Sequence, residues 1–175
     1  MNNYFELYHM PQTFRPDPVE VKSRFYEMSR LYHPDRFAQA GGAELTKALQ
    51  LSAMNNEAYK TLRNADATMA YMLKLHGLLH DEEKYALPPV FLMEMMEINE
   101  AVSEYESDGN QDAREMAITA LNEQLELWED ATTPLVDKWE VGDHNEELLL
   151  RIKDQYFRKK YLLRIQERID RFAAP

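Results

Sequence analysis

Residues 31–37 read LYHPDRF, and His33, Pro34 and Asp35 are the residues whose types and spacing come nearest to chemistry. A histidine titrates near neutrality, and a carboxylate two positions on could orient its ring, which is the start of a general acid–base arrangement. The set stops there, because no nucleophile or metal ligand stands beside it in the sequence. The plain alternative is a turn, in which Pro34 ends a helix, Asp35 accepts from nearby backbone and His33 covers the last carbonyls. A second suggestive spacing, His76 and His80, brackets Gly77, which marks a helix end and speaks against two ligands on one helical face. The remaining histidines are His9, His33 and His144, and there is no cysteine. Disulfides, thiolate metal sites, cluster ligation through sulfur and a cysteine nucleophile are thereby excluded, and no cofactor or metal is expected.

The 175 residues, 45% hydrophobic, suffice for one medium domain or two small ones. A net charge of -11 disfavours nucleic acid, which demands clustered Lys and Arg. No apolar run approaches the roughly 18 residues of a membrane span, and MNNYFELYHM has neither the basic start nor the cleavage site of a secretory signal. No membrane association is expected, and the expected compartment is the cytoplasm. Charge is unevenly spread. Residues 1–81 carry nine acids and nine bases, residues 82–147 nineteen acids and three bases, and residues 148–175 three acids and eight bases.

The elements that must hold the His-Pro-Asp stretch are helical, and the fold class expected is all-α. Asp17 can cap a helix whose first residue is Pro18, with Glu20 three residues after the cap. Val21, Phe25, Met28, Leu31 and Tyr32 recur at steps of three and four as a buried stripe, while Lys22, Tyr26 and Arg30 form a separate row ending near His33. Pro34 disfavours helical geometry at His33 and ends that helix. A second helix restarts after Gly41-Gly42 with Leu45, Leu49, Tyr59 and Leu62 as inward residues, which makes an antiparallel hairpin. Asn64-Ala65-Asp66 is a break or a weak spot before ATMAYMLKLH and the Gly77 stop.

The stretch LLHDEEKYALPP reads as a linker. The organisation expected is a first domain over 1–76, a linker over 77–88 and a helical bundle of three main helices over 89–175. Helical period runs through FLMEMMEINEAVSEYES, QDAREMAITALNEQLELWEDA, TPLVDKWEV and the segment from Glu146 to Phe172. Phe91, Met95, Ile98, Val102 and Tyr105 form one buried seam. Leu92, Met93 and Met96 are left over beside Glu94, Glu97, Glu100 and Glu104. They are either a second stripe, hidden where the helix packs against two neighbours or against the other domain, or an acid-rimmed apolar patch suited to gripping another protein.

Several stretches in order resemble the J-domain, the module that stimulates ATP hydrolysis by DnaK-class chaperones. YFELYHMP resembles its first short helix, VKSRFYEMSRLYHPDRF its second helix and loop, and NNEAYKTLR its third. The resemblance implies that a basic helix face and the exposed loop dock on the ATPase, which makes His33, Pro34, Asp35, Lys22, Arg24, Arg30 and Arg36 the docking residues. It also implies an activator with no catalytic residues of its own. Residues 17–36 hold four acids and four bases, so the face is basic only where Lys22, Arg30 and Arg36 cluster away from Glu20 and Glu27.

The later stretches LRNADATMAYMLKLHG and VFLMEMMEINEAVSEYE resemble the HscB family, J-domain co-chaperones of bacterial iron-sulfur cluster assembly. The resemblance extends over nearly the whole chain. It implies that the C-terminal bundle binds the scaffold IscU and delivers it to the chaperone HscA. By matching position the scaffold contacts are Leu92, Met93, Met96, Glu97, Glu100 and Glu104, with an aromatic of the last helix, Tyr156 or Phe157. The chain departs from the family pattern at Asn64-Ala65, at Thr68-Met69 and at Asn55, where an apolar residue is usual. The family's eukaryotic members often carry a cysteine-rich N-terminal extension, and a start directly at the J-domain fits a bacterial-type form. The alternatives are a J-domain adaptor for a different client and a hydrolase using His33 and Asp35.

Overall fold

A computed structural model describes residues 3–37, 39 and 41–172, and the described residues contain helices and turns but no strand. The order is α1 (Tyr4–Tyr8), α2 (Pro18–Leu31), a 3-10 turn (Pro34–Phe37), α3 (Gly42–Leu62), α4 (Ala65–Leu75), α5 (Pro89–Glu94), α6 (Met96–Asp108), α7 (Gln111–Glu140) and α8 (Glu146–Arg171). The fold is all-α. It divides into two units, Met1–Leu79 and His80–Pro175. The outermost residues of the two expected domains, 1–2 and 173–175, lie outside the described residues. No helix among those described is long and apolar enough to cross a membrane.

In the first unit the caps fall where the sequence places them. Asn3 accepts from the Glu6 amide at 2.8 Å while donating to the Glu6 carboxylate, a reciprocal box that starts the five-residue α1. Asp17 accepts from the Val19 amide at 2.8 Å, with Pro18 as the first helical residue of α2. Helices α2 and α3 run antiparallel. Phe25 stacks on Tyr59 at 4.2 Å, and one turn further along α2 Ser29 meets Asn55, four residues earlier on α3. The break at residues 63–64 is real: Asn64 caps α4 by accepting from the Ala67 amide at 2.9 Å. Thr68 fastens the break by donating to the Thr61 carbonyl at 3.1 Å. Gly77 takes the left-handed conformation (φ 72°) after α4, and the Leu78 amide closes back on the Leu73 carbonyl at 2.9 Å.

Two expected core residues point elsewhere. Leu31 and Leu49 are exposed, whereas α3 buries Ala48, Asn55, Ala58 and Leu62. The inward face of α3 follows small and polar residues because Asn55 satisfies its amide on α2, donating to the Phe25 carbonyl at 3.1 Å and the Ser29 hydroxyl at 2.9 Å. Tyr8 of α1 donates to the Asn55 side-chain oxygen at 2.9 Å, so one asparagine joins three helices. The resemblance led to the expectation of an apolar residue here; the polar group present is fully partnered rather than buried alone.

The second unit is a three-helix bundle of α6, α7 and α8, led by the short α5. Its core joins Phe91, Met95, Ile98 and Val102 with Ala117, Leu121, Leu162 and Ile165, each large apolar side chain contributing roughly 1.5–3 kcal/mol of burial. The seam is the one the four-and-three spacing predicts, and Tyr105 is buried with it. Residues 80–88 of the stretch read as a linker are held by this unit. Glu83 pairs with Lys153, Tyr85 donates its hydroxyl to Asp154 at 2.8 Å, and Leu87 packs on the core. Charge and prolines hid this, because the partners lie some 70 residues away. Helix α7 also differs from expectation, since TPLVDKWEV continues the preceding helix through Pro134 instead of forming a separate piece. Pro134 withholds an amide from the Asp130 carbonyl. Two residues upstream, the buried Thr132 donates to the Trp128 carbonyl at 2.7 Å.

Candidate functional site

The first surface is built at the C-terminal end of α2. Pro34 cannot continue the helix, so the chain turns into the 3-10 segment, with the Arg36 amide bonding the His33 carbonyl at 3.0 Å. The Asp35 amide approaches His33 Nδ1 at 3.4 Å, and an Asp35 carboxylate oxygen lies 3.7 Å from the same nitrogen. Both side chains remain open to solvent, 57% exposed for His33 and 91% for Asp35. An acid–base pair in that position has no water-excluding wall. Ser29, a hydroxyl lining the same groove, donates to the Phe25 carbonyl at 2.8 Å. Tyr26, Ser29, Arg30, His33 and Arg36 line a single open groove, a shape that a protein segment can occupy and a small substrate cannot be enclosed by.

The four cations of this face are not equivalent. Arg24 is engaged by Glu27 at 3.2 Å and Glu20 at 3.7 Å. Arg36 folds back so that Nη1 donates to the Arg30 carbonyl at 2.8 Å, covering an orphan carbonyl of α2. Lys22 and Arg30 are exposed and carry no ion pair among the described residues. Lys22, Tyr26 and Arg30 follow one another at steps of four along α2, with Tyr26 exposed between the two charges. His76 ends α4, where its ring nitrogen meets Gln12 at 3.0 Å. Because α4 stops at Leu75, His76 and His80 do not share a helical face. No group of three His, Asp or Glu residues suited to a metal occurs among the described residues.

The second surface crosses the joint between α5 and α6. Met95 is buried at the joint, and Leu92, Met93 and Met96 stand exposed around it, 67% for Met93 and 56% for Met96. Glu97, Glu100 and Glu104 follow along the exposed side of α6. The leftover apolar residues are therefore not a second stripe packed inside the bundle. Glu104 also has local work: Asn110, the N-cap of α7, donates to its carboxylate at 2.6 Å. Of the two aromatics proposed on α8, Phe157 is interior, stacked on Tyr85 at 4.3 Å with planes 2° apart. This corrects the expectation for Phe157, and Tyr156, half-exposed and edge-on to Phe157, is the one with accessible area.

Asn99 is the residue that the sequence reading missed. It donates to the Met95 carbonyl and to the Tyr161 hydroxyl, both at 2.9 Å, and accepts from Arg168 at 3.1 Å. Arg168 also forks onto Glu106 through two bonds of 2.9 and 2.8 Å. These bonds tie the α5–α6 joint to α8 and fix the angle at which Leu92 and Met96 are offered. A polar residue between the seam positions Ile98 and Val102 was the available signal. The Arg168 hydrogen bond holds the Glu106 carboxyl below its ordinary value. Burial, followed by the bond to Asp154, pushes the Tyr85 hydroxyl up to about 12.

An all-helical chain with an exposed His-Pro-Asp loop on one unit and an apolar, acid-edged patch on another has the layout of a protein that binds proteins. Residues 87–170 match the HSCB C-terminal oligomerisation domain family. The chain is 31% identical over 137 residues, 78% of each chain, to a co-chaperone protein HscB homolog of Burkholderia cenocepacia. It is also 31% identical over 156 residues to the human iron-sulfur cluster co-chaperone protein HscB, covering 89% of this chain and 64% of that one. The crystal structure of the human co-chaperone superposes with a TM-score of 0.74 at 29% identity, covering 97% of this chain and 81% of the other. Chaperone HscB from Vibrio cholerae superposes with a TM-score of 0.70 at 25% identity, covering 97% and 96%. The chain belongs to the HscB family of co-chaperones.

Proposed function

We propose that this chain joins a DnaK-type ATPase of the HscA kind to an IscU-type iron-sulfur scaffold protein, stimulates the ATPase and performs no catalysis itself. The observation carrying the proposal is the exposure of Leu92, Met93 and Met96 at the α5–α6 joint, on a different unit from the exposed His33–Asp35 loop. Two separate surfaces suit two partners held at once, which raises the effective concentration of one near the other. On the first, Lys22 and Arg30 steer an acidic partner while the groove beside Tyr26 receives it. Pro34 fixes the loop, and Asp35 presents its carboxylate outward. On the second, the methionines adapt to an apolar partner surface, and Glu97 and Glu100 select basic groups at its edge. Compartment follows the same reading: both partners would be met in the cytoplasm.

The deciding measurement is the ATPase rate of an HscA-type chaperone with this chain, with the scaffold, with both, and with His33→Gln in place of the wild type. Synergy between chain and scaffold that the variant loses is the expected result; equal stimulation by variant and wild type would refute the docking role of the loop. Titration calorimetry with IscU separates the second reading, an adaptor for another client. Scaffold binding weakened at least about fivefold by Leu92→Ala or Met96→Ala is expected for residues central to an interface, and the absence of binding heat would favour the adaptor.

A further inference from the structure

The second unit contains a cavity that neither proposed surface uses. Segment 80–88 lies along α8, and between them a space of about 320 Å³ is lined by Lys84, Tyr85, Phe157, Lys160, Tyr161 and Arg164 together with Glu83 and Leu87. Its charge comes from both sides: Lys84 is one of only three bases in residues 82–147, and Lys160 and Arg164 are two of the eight in residues 148–175. Lys84, Lys160 and Arg164 are exposed and have no ion pair among the described residues. The single acid at the cavity is already neutralised: Glu83 is bound by Lys153, whose hydrogen bond holds that carboxyl below its ordinary value.

The aromatic part of the lining is held in place. Tyr85 and Phe157 stack face to face at 4.3 Å, and the Tyr85 hydroxyl is fixed on Asp154 at 2.8 Å. Tyr161 is fixed by the Asn99 amide at 2.9 Å and meets the Phe91 ring edge-on at 5.7 Å. Lys160 and Arg164 are one helical turn apart on α8, and Lys84 approaches from the other side on segment 80–88. Pre-set rings beside unpaired cations favour a ligand that carries both an apolar side chain and carboxylates.

We propose that this cavity is a docking site for an acidic peptide segment, one aromatic or large aliphatic side chain entering between Tyr85 and Tyr161 while flanking carboxylates reach Lys84, Lys160 and Arg164. A polynucleotide is disfavoured, because three cations around two tyrosines make a small basic cluster, whereas phosphate-backbone binding draws on an extended one. The cavity lining includes none of Leu92, Met93 and Met96, so the two assignments can fail separately.

The test is fluorescence anisotropy of the full chain with a labelled Glu-Asp-Phe-Asp-Glu peptide at low and moderate salt. Saturable binding that weakens with salt is expected, reduced at least about fivefold in the Lys160→Gln, Arg164→Gln double variant. Replacing the peptide's Phe by Ser should also weaken it, whereas the Leu92→Ala, Met96→Ala variant should bind the peptide as wild type does. Both cations are exposed, so the double variant should retain the helical circular dichroism and thermal midpoint of the parent. The proposal is overturned if wild type shows no saturable binding or if the double variant binds equally well. It is also overturned by a labelled oligothymidylate that competes at the same affinity, which would mark a general anion surface.

Discussion

Replacing Asn55 probes the buried junction on which the first proposed docking surface rests. Asn55 is 1% exposed, and its side chain makes three hydrogen bonds, to the Phe25 carbonyl, the Ser29 hydroxyl and the Tyr8 hydroxyl. Asn55→Ala removes all three but strands none of the partners. Tyr8 keeps the Asn55 carbonyl at 3.1 Å, and Ser29 keeps the Phe25 carbonyl at 2.8 Å. At about 1 kcal/mol for each lost bond, with a small cavity contribution, the first unit should lose about 3 kcal/mol. Asn55→Leu fills the space and replaces polar by apolar burial, so its loss should stay near 1 kcal/mol. Tyr8→Phe should destabilise the parent, yet add little in the Leu variant, giving a coupling of about 1 kcal/mol. Both tryptophans, Trp128 and Trp139, lie in the second unit, so their fluorescence does not report this change. Hydrogen exchange of the α2 and α3 amides does. Unchanged protection in Asn55→Ala, or additive effects of Tyr8→Phe and Asn55→Leu, would refute the reasoning.

Other outcomes follow from the same geometry. Lys22→Gln or Arg30→Gln should lower ATPase stimulation several-fold at low salt and reduce its salt dependence, while Arg24→Gln, whose charge is met by Glu20 and Glu27, should have the smaller effect; equal losses would show that the pairing is irrelevant. Glu106 titrates below its ordinary value of 4.5 in the folded chain, so its pair with Arg168 contributes stability above that pH and loses it as pH falls through the lowered folded value. Glu106→Gln should therefore flatten the acid limb of the second unit's stability, followed by tryptophan emission, and an unaltered limb would count against the pair. Pro134→Ala restores an amide inside α7 and should raise the unfolding free energy of the second unit by about 1–3 kcal/mol, measured by denaturant titration; a lowered midpoint would mean that the proline is required for packing.

The helical caps and the bundle seam were readable from the sequence because they depend on local spacing. Asp17-Pro18, Asn64 and Gly77 act on neighbours within four residues, and Phe91, Met95, Ile98 and Val102 repeat with the helix. What escaped reading depends on partners far along the chain. Leu49 looked like core, but the buried face of α3 is set by Asn55, whose partners lie 26 to 47 positions away. Phe157 looked like a surface contact until Tyr85 covered it. The loop residues His33, Pro34 and Asp35 could be placed at the surface, but Arg24's two ion pairs and Arg36's bond to the helix end arise only when side chains are built. Glu104 similarly reads as one member of an acidic row, although Asn110 occupies part of it.

Arg36 has a consequence for which substitutions the loop can accept. Its Nη1 closes the end of α2 on the Arg30 carbonyl, leaving the other guanidinium nitrogens directed elsewhere. A guanidinium spreads five donors over a rigid plane, so one atom can fasten the helix while another meets a carboxylate. Lysine supplies the same charge from a single nitrogen on a flexible stem. At this position the exchange of arginine for lysine, which leaves every count of charge unchanged, would force a choice between a fastened helix end and a charge left for the proposed partner.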